Sequence, residues 1–250
     1  MGCKQLKVYG ERNSGTNYLT QLLWHNFQVE ILPGVVPALV MGLQNMLPGQ
    51  ELVRDVYFAL SFRANLVWKH SFVHVERLKR TLGASSDVGF VTITKNPYAW
   101  MLSLYKRPYH RHGKEKPDFE TFLQTPWKTV GRENASKTYP NPAALWNLKN
   151  ESYMALKQEF PTVNVSYEAL LSHPGEGLTF IKDHFSLNPK HKEFKNLNQS
   201  TKDPQKTFMD YQDYYLQGKW KDQLSAQSIE LINANLNWGV MEYFGYKRLN

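Results

Sequence analysis

Cysteine is nearly absent: Cys3 is the only one in 250 residues. An internal disulfide and a cysteine-built metal site are thereby excluded. Long apolar runs are missing as well, and none approaches the roughly 20 residues of a membrane-crossing helix. No apolar leader precedes the first strand-like run. Met1-Gly2-Cys3 has the start of a myristoylation signal, but Leu6 stands where that signal wants Ser or Thr. These absences lead to the expectation of a cytoplasmic protein without a membrane span. Acidic side chains are the minority charge, 22 against 30 Lys and Arg, for a net +8. That surplus favours an anionic partner: a nucleotide, an acidic or sulfated substrate, or nucleic acid. Neither an internal repeat nor a metal-ligand cluster is visible, so a single domain over residues 1–250 and no metal are expected.

What is present is concentrated in Val8-Tyr9-Gly10-Glu11-Arg12-Asn13-Ser14-Gly15-Thr16-Asn17-Tyr18. The apolar run Leu6 to Tyr9 reads as a strand. A loop bracketed by glycines follows, and then Tyr18, Leu19, Leu22, Leu23 and Phe27 recur at helical spacing. A strand, a glycine loop and a helix N-terminus make an anion site, because the first helical N–H groups lack partners and sit at the positive end of the dipole. Ser14, Thr16 and Asn17 add side-chain donors. The spacing is similar to a Walker P-loop, but Thr16 replaces the lysine and Asn17 the Mg-binding hydroxyl. Such a loop suits a phosphate that needs no metal.

The remaining chain alternates strands and helices. Helices are expected at Ala38–Met46, Val73–Leu82, after Asn96-Pro97, at Asp118–Leu123, Pro142–Phe160, Gly177–Phe185 and Ser225–Tyr243. Strands are expected at Asn65–His70, Val88–Thr94 and Thr162–Ser166. Residues 188–218 carry little pattern. The expected class is α/β: three layers, a central mostly parallel sheet flanked by helices, and a P-loop-like strand–loop–helix at the N-terminus. Ligands of such sheets lie beyond the C-terminal strand ends. Those ends would carry Gly10–Asn17, Lys69-His70, Lys95-Asn96 and Ser166-Tyr167.

In chain order these clusters resemble the sulfotransferase family, whose members move a sulfuryl group from 3′-phosphoadenosine 5′-phosphosulfate (PAPS) to a hydroxyl or amine. The resemblance runs from residue 6 to about 246. Arg12-Asn13-Ser14-Gly15-Thr16-Asn17-Tyr18 is similar to the family's 5′-phosphosulfate loop. It implies that Ser14, Gly15, Thr16 and Asn17 wrap the 5′-phosphate and that Tyr18 takes an adenine-stacking place. Asn13 occupies the family's lysine position, with Arg12 beside it as the substitute cation. Lys95-Asn96-Pro97 with Ser103 eight residues on resembles the 3′-phosphate motif, Lys95 replacing an Arg. Trp68-Lys69-His70-Ser71 resembles the segment holding the catalytic base, which implies His70, supported by Lys69 and Arg12. Ser166-Tyr167-Glu168 resembles the segment whose Tyr lies near the adenine, and Gly218-Lys219-Trp220-Lys221 a C-terminal run. The Arg-Lys-Gly that precedes that run in the family is missing, leaving Lys202, Lys206 or Lys219 as substitutes.

The resemblance implies PAPS as co-substrate, a His general base and a small-molecule or glycan acceptor, with no nucleic acid. The basic 107–117 loop with His110 and His112, Trp127 and the apolar 31–48 segment are the candidate acceptor walls. Two other readings stand beside it. A P-loop nucleotide kinase or NTPase needs the missing lysine and a Mg-binding acid. A non-catalytic binder of an anionic polymer or nucleic acid would use the net charge, although no nucleic-acid-reading module is visible.

Overall fold

The computed structural model describes residues 3–46, 50–83, 87–109, 116–200 and 203–250, with backbone alone for 43–46 and 50. In order the elements are β1 Gln5–Tyr9, α1 Thr16–Asn26, β2 Glu30–Ile31, α2 Ala38–Met46, α3 Gln50–Leu60, α4 Phe62–Asn65, α5 Val75–Leu82, β3 Val88–Thr94, α6 Pro97–Lys106 and α7 Phe119–Gln124. They continue with β4 Trp127–Lys128, β5 Thr138–Tyr139, α8 Pro142–Glu159, β6 Thr162–Ser166, α9 Tyr167–Ser172, α10 Pro174–Phe185, α11 Phe208–Leu216, α12 Ala226–Asn235 and α13 Trp238–Tyr243. Met1-Gly2, residues 110–115 of the basic loop and Lys202 lie outside the described residues.

The central sheet has the order β2-β1-β3-β6 and is parallel throughout. Every residue of β3 is buried, as a strand covered on both faces requires. Its side chains alternate between two cores. Val91 and Ile93 join Leu6 and Val8 against Leu19, Leu22 and Leu23 of α1 and Leu170 and Ile181 of α9 and α10. Val88 and Phe90 point the other way, with Tyr9, to Leu78 of α5 and Tyr153 and Leu156 of α8. The result is the expected three-layer α/β arrangement. A third cluster, around Trp100, Trp146 and Trp220, joins α6, α7, α8, α12 and α13. Among the described residues no helix is long and apolar enough to cross a membrane.

Four expectations need correction. Asn65–His70 is not a strand. Leu66 and Val67 adopt left-handed φ of 52° and 71°, and the Lys7 ammonium, on the same side of β1 as this segment, takes the carbonyls of Pro33, Asn65 and Val67. The carbonyls a strand would offer to a neighbour are thus used by one side chain. The helix expected from Val73 begins at Val75. The helix expected over Ser225–Tyr243 is two helices, because the Asn237 side chain accepts the amides of Gly239 and Val240 and starts α13 afresh. Residues 188–218, read as patternless, contain α11, begun by a reciprocal cap between Thr207 and Asp210.

Candidate functional site

The loop between β1 and α1 is shaped by close approach. A Cβ on Gly10 would lie 2.5 Å from the Ile93 carbonyl oxygen. Gly15, at φ 91°, packs edge-on to Tyr167, and a Cβ there would lie 2.5 Å from Tyr167 Cδ2. Asn13 is also left-handed, at φ 65°. Gly15 caps α1 and has no side chain with which to claim the amides of the first turn. The outside of the loop is pinned by Trp100, whose Nε1 donates to the Arg12 carbonyl at 2.7 Å.

Next to the loop lies a cleft of about 250 Å³. Asn13, Gly15, Thr16, Asn17 and Tyr18 line one end, and Lys95 and Ser103 another part of the wall. Asn96 positions the latter pair. Its side chain accepts the Tyr98 amide and starts α6, with Pro97 in the first turn. Lys95 Nζ reaches Ser103 Oγ at 3.0 Å, and its charge sits 3.7 Å from the centre of the Tyr215 ring. Burial pulls the Lys95 pKa down to about 7, with Glu168 opposing. Glu168 itself accepts the Asn96 amide and the Tyr246 hydroxyl, each at 3.0 Å.

On the other side of the loop is His70, 9% exposed. Its Nδ1 is 2.6 Å from the Gly10 carbonyl oxygen. A carbonyl only accepts, so Nδ1 carries the proton and Nε2 keeps the lone pair in the neutral ring. Burial, then the nearby charges of Lys69, Arg12 and Lys149, push the imidazole well below its ordinary pKa, against the pull of the Gly10 bond. The Gly10 amide returns a hydrogen bond to the Lys69 carbonyl at 2.9 Å. Lys69 Nζ bonds the Asn17 side-chain oxygen, tying the His70 segment to the first turn of α1.

Of the residues picked from sequence, Asn13, Gly15, Thr16, Asn17, Tyr18, Lys95, Ser103 and Tyr167 meet in one cleft. Ser14 is buried in the loop beside them. Arg12 does not line that cleft. Its guanidinium stacks over Trp68 at 4.8 Å and Tyr109 at 4.3 Å. Trp127 is buried and meets Tyr109 edge-on. Of the three lysines offered as substitutes, Lys206 lines the cleft, whereas Lys219 pairs with Asp213 and is not among the cleft-lining residues. One wall carries no motif of its own in the sequence: α11 supplies Phe208, Tyr211, Tyr214 and Tyr215, and it stands beside Lys106 at the end of α6 and Arg107, the first residue of the basic loop. The Thr207–Asp210 spacing was the one signal that could have revealed α11.

The sulfotransferase domain from the curacin biosynthetic pathway aligns with 100% of this chain and 99% of its own length, at a TM-score of 0.52 and 10% identity. This chain has a sulfotransferase fold. The sulfotransferase domain from the Synechococcus PCC 7002 olefin synthase aligns over 97% of this chain and 94% of that one, at 16% identity and a TM-score of 0.46. No protein-family model and no curated protein sequence matches the chain. In this sulfotransferase fold the cleft follows the parallel strands at their C-terminal ends, where Gly10, Lys95 and Tyr167 emerge from β1, β3 and β6.

Proposed function

We propose that this protein is a sulfotransferase that moves a sulfuryl group from PAPS to a hydroxyl or amine of a small-molecule or glycan acceptor. The observation that carries the reading is the Lys95–Ser103 contact, 3.0 Å, in the same cleft as the open helix N-terminus of the loop. In this reading one cleft offers two separate anion sites. A ligand with two phosphate-type groups on one nucleoside matches that pattern, and a nucleoside triphosphate does not. The donor set fits a 3′,5′-substituted nucleotide in two further respects. Asn13 Nδ2 is buried and has no hydrogen-bond partner among the described residues. Tyr18, Phe208 and Tyr211 give the cleft aromatic walls, suited to a purine.

In this reading the amides at the start of α1, with Thr16 and Asn17, hold the 5′-phosphate. Lys95 and Ser103 hold the 3′-phosphate, with Lys106, Arg107 and Lys206 as the cations nearest to replace the absent Arg-Lys-Gly. PAPS, when bound, supplies the activated sulfuryl group. The chain's own part is positioning and charge. His70 Nε2 takes the acceptor's proton, and the tautomer set by Gly10 suits that task. Lys69 is held at Asn17 in the first turn of α1, and Arg12 stands on the Trp68–Tyr109 side.

Calorimetry with 3′-phosphoadenosine 5′-phosphate (PAP), AMP, ADP and Mg-ATP tests the reading. Metal-independent PAP binding that weakens strongly for AMP is expected. A preference for Mg-ATP would replace it with a kinase, and silence towards all four would leave a binding role for the fold.

A further inference from the structure

Lys149 is an anomaly in α8. The helix turns Leu145, Trp146, Tyr153 and Leu156 into the core, and Lys149 goes in with them at 0% exposure. An apolar residue of similar size would ordinarily serve a core position at least as well as a buried ion. The ammonium has three N–H bonds, and three acceptors surround it. Glu11 Oε2 is at 3.0 Å, Glu133 Oε2 at 2.9 Å, and the His70 carbonyl is the third. Each acceptor belongs to a different segment: Glu11 to the phosphate loop, His70 to the base segment, Glu133 to the short helical turn between β4 and β5. Both glutamates are buried.

The neighbours are fixed in turn. Glu11 also accepts from the Tyr109 hydroxyl at 2.8 Å. The Phe72 amide donates to the Glu133 carbonyl at 2.7 Å. Burial alone would lower the Lys149 pKa, but Glu11 and Glu133 outweigh it and the ammonium stays charged.

We propose that Lys149 is a positioning residue, whose ammonium locks the phosphate loop and the His70 segment in register and so holds the His70 imidazole in its Nδ1–H tautomer. The inference rests on the reading of His70 as general base. Gly10 and Glu11 are adjacent, so the Lys149–Glu11 pair anchors the carbonyl that receives the His70 proton. The Lys149 bond to the His70 carbonyl anchors the ring's own backbone. Without the ammonium, both anchors go, and two buried carboxylates face each other. The repulsion that the Lys149 charge exerts on a protonated His70 ring goes with it. Its loss favours the protonated ring, which has no lone pair to offer an acceptor.

The test reads the imidazole directly, by ¹⁵N NMR of the ligand-free protein, beside PAP calorimetry. In the wild type, the Nδ1–H tautomer is expected to persist as pH falls below the ordinary histidine range. Lys149→Met should mix the tautomers and raise the pH at which His70 protonates by about one unit. PAP affinity should fall as well, since the phosphate loop loses its Glu11 anchor. Adding Glu133→Gln to Lys149→Met relieves the two facing buried carboxylates and should leave the tautomers mixed, because the anchor does not return. The double variant also serves if the single one fails to fold. A folded single or double variant with a pure Nδ1–H tautomer and unchanged protonation overturns the proposal. A wild type that binds no PAP would sink the sulfotransferase reading, yet the NMR result would still decide whether Lys149 sets the tautomer.

Discussion

Lys95 and Ser103 lie eight residues apart in sequence and 3.0 Å apart in space, one just after β3 and the other in the second turn of α6. The pair is a clamp of one cation and one hydroxyl, set beside but not within the glycine loop. Because burial brings Lys95 to a pKa of about 7, its charge in the free protein depends on pH near neutrality. A phosphate dianion placed against it would favour the charged form. PAP binding at pH 8 should therefore take up close to one proton, and affinity should weaken as pH rises through 7. AMP should show neither effect. Calorimetry in two buffers of different ionisation enthalpy measures the uptake. Lys95→Met should abolish it and cost about 1.5–3 kcal/mol of PAP binding, the worth of a charged hydrogen bond.

His70 gives a second expectation. Removing a general base costs about 10² to 10⁴ in turnover, so His70→Gln should lose that much while keeping PAP affinity. The same ring also affects stability. It is held neutral in the folded protein and has the ordinary pKa when unfolded. Between those two values the unfolded chain binds the extra proton, so this contribution is present above the ordinary pKa near 6.5 and is lost as pH falls through the folded value. Urea titrations at pH 8 and pH 5 should show a smaller acid loss for His70→Gln than for the wild type.

Gly15→Ala tests the loop. The alanine would need a left-handed backbone, which costs about 1–2 kcal/mol, and its methyl would press on the Tyr167 ring. A lower urea midpoint with a larger fall in PAP affinity is expected. A variant with wild-type stability and binding would show that the loop is looser than its contacts.

Tyr215 tests the wall that α11 provides. Its ring lies under the Lys95 ammonium, and such contacts contribute about 0.5–2 kcal/mol. Tyr215→Leu should weaken PAP binding by a corresponding factor. Tyr215→Phe keeps the ring and should stay near wild type, because the hydroxyl's contact with Ser103 is long, 3.4 Å.

The phosphate loop, β3 and α6 were legible because their signals are local: an apolar run, a glycine at each end of a loop, an Asn-Pro helix start. The Lys95–Ser103 pairing follows from position along those elements. The 65–70 segment was not legible. Leu66, Val67 and Trp68 are buried as strand residues would be, but their backbone is bent towards Lys7, nearly 60 residues earlier, and that is a tertiary fact. No residue of α11 is fully buried, and its aromatic residues are divided between the edge of the core and the wall of the cleft, so no clean apolar stripe is there to read. Lys149 was hidden for the opposite reason. A lysine among Leu145, Trp146 and Tyr153 reads as the solvent side of a helix, and only Glu11 and Glu133 explain why it is inside.

The Lys7 arrangement constrains how this sequence can drift. Its three bonds end on the backbone, so no replacement at 33, 65 or 67 removes the acceptors. The ammonium is therefore indispensable while the bend exists, and the bend is what delivers Lys69 and His70 to the loop. A lineage that lost the lysine would have to rebuild the path from α4 to α5 in the same step. Position 7 and the 65–67 path should behave as one inherited unit, exchanged together or not at all.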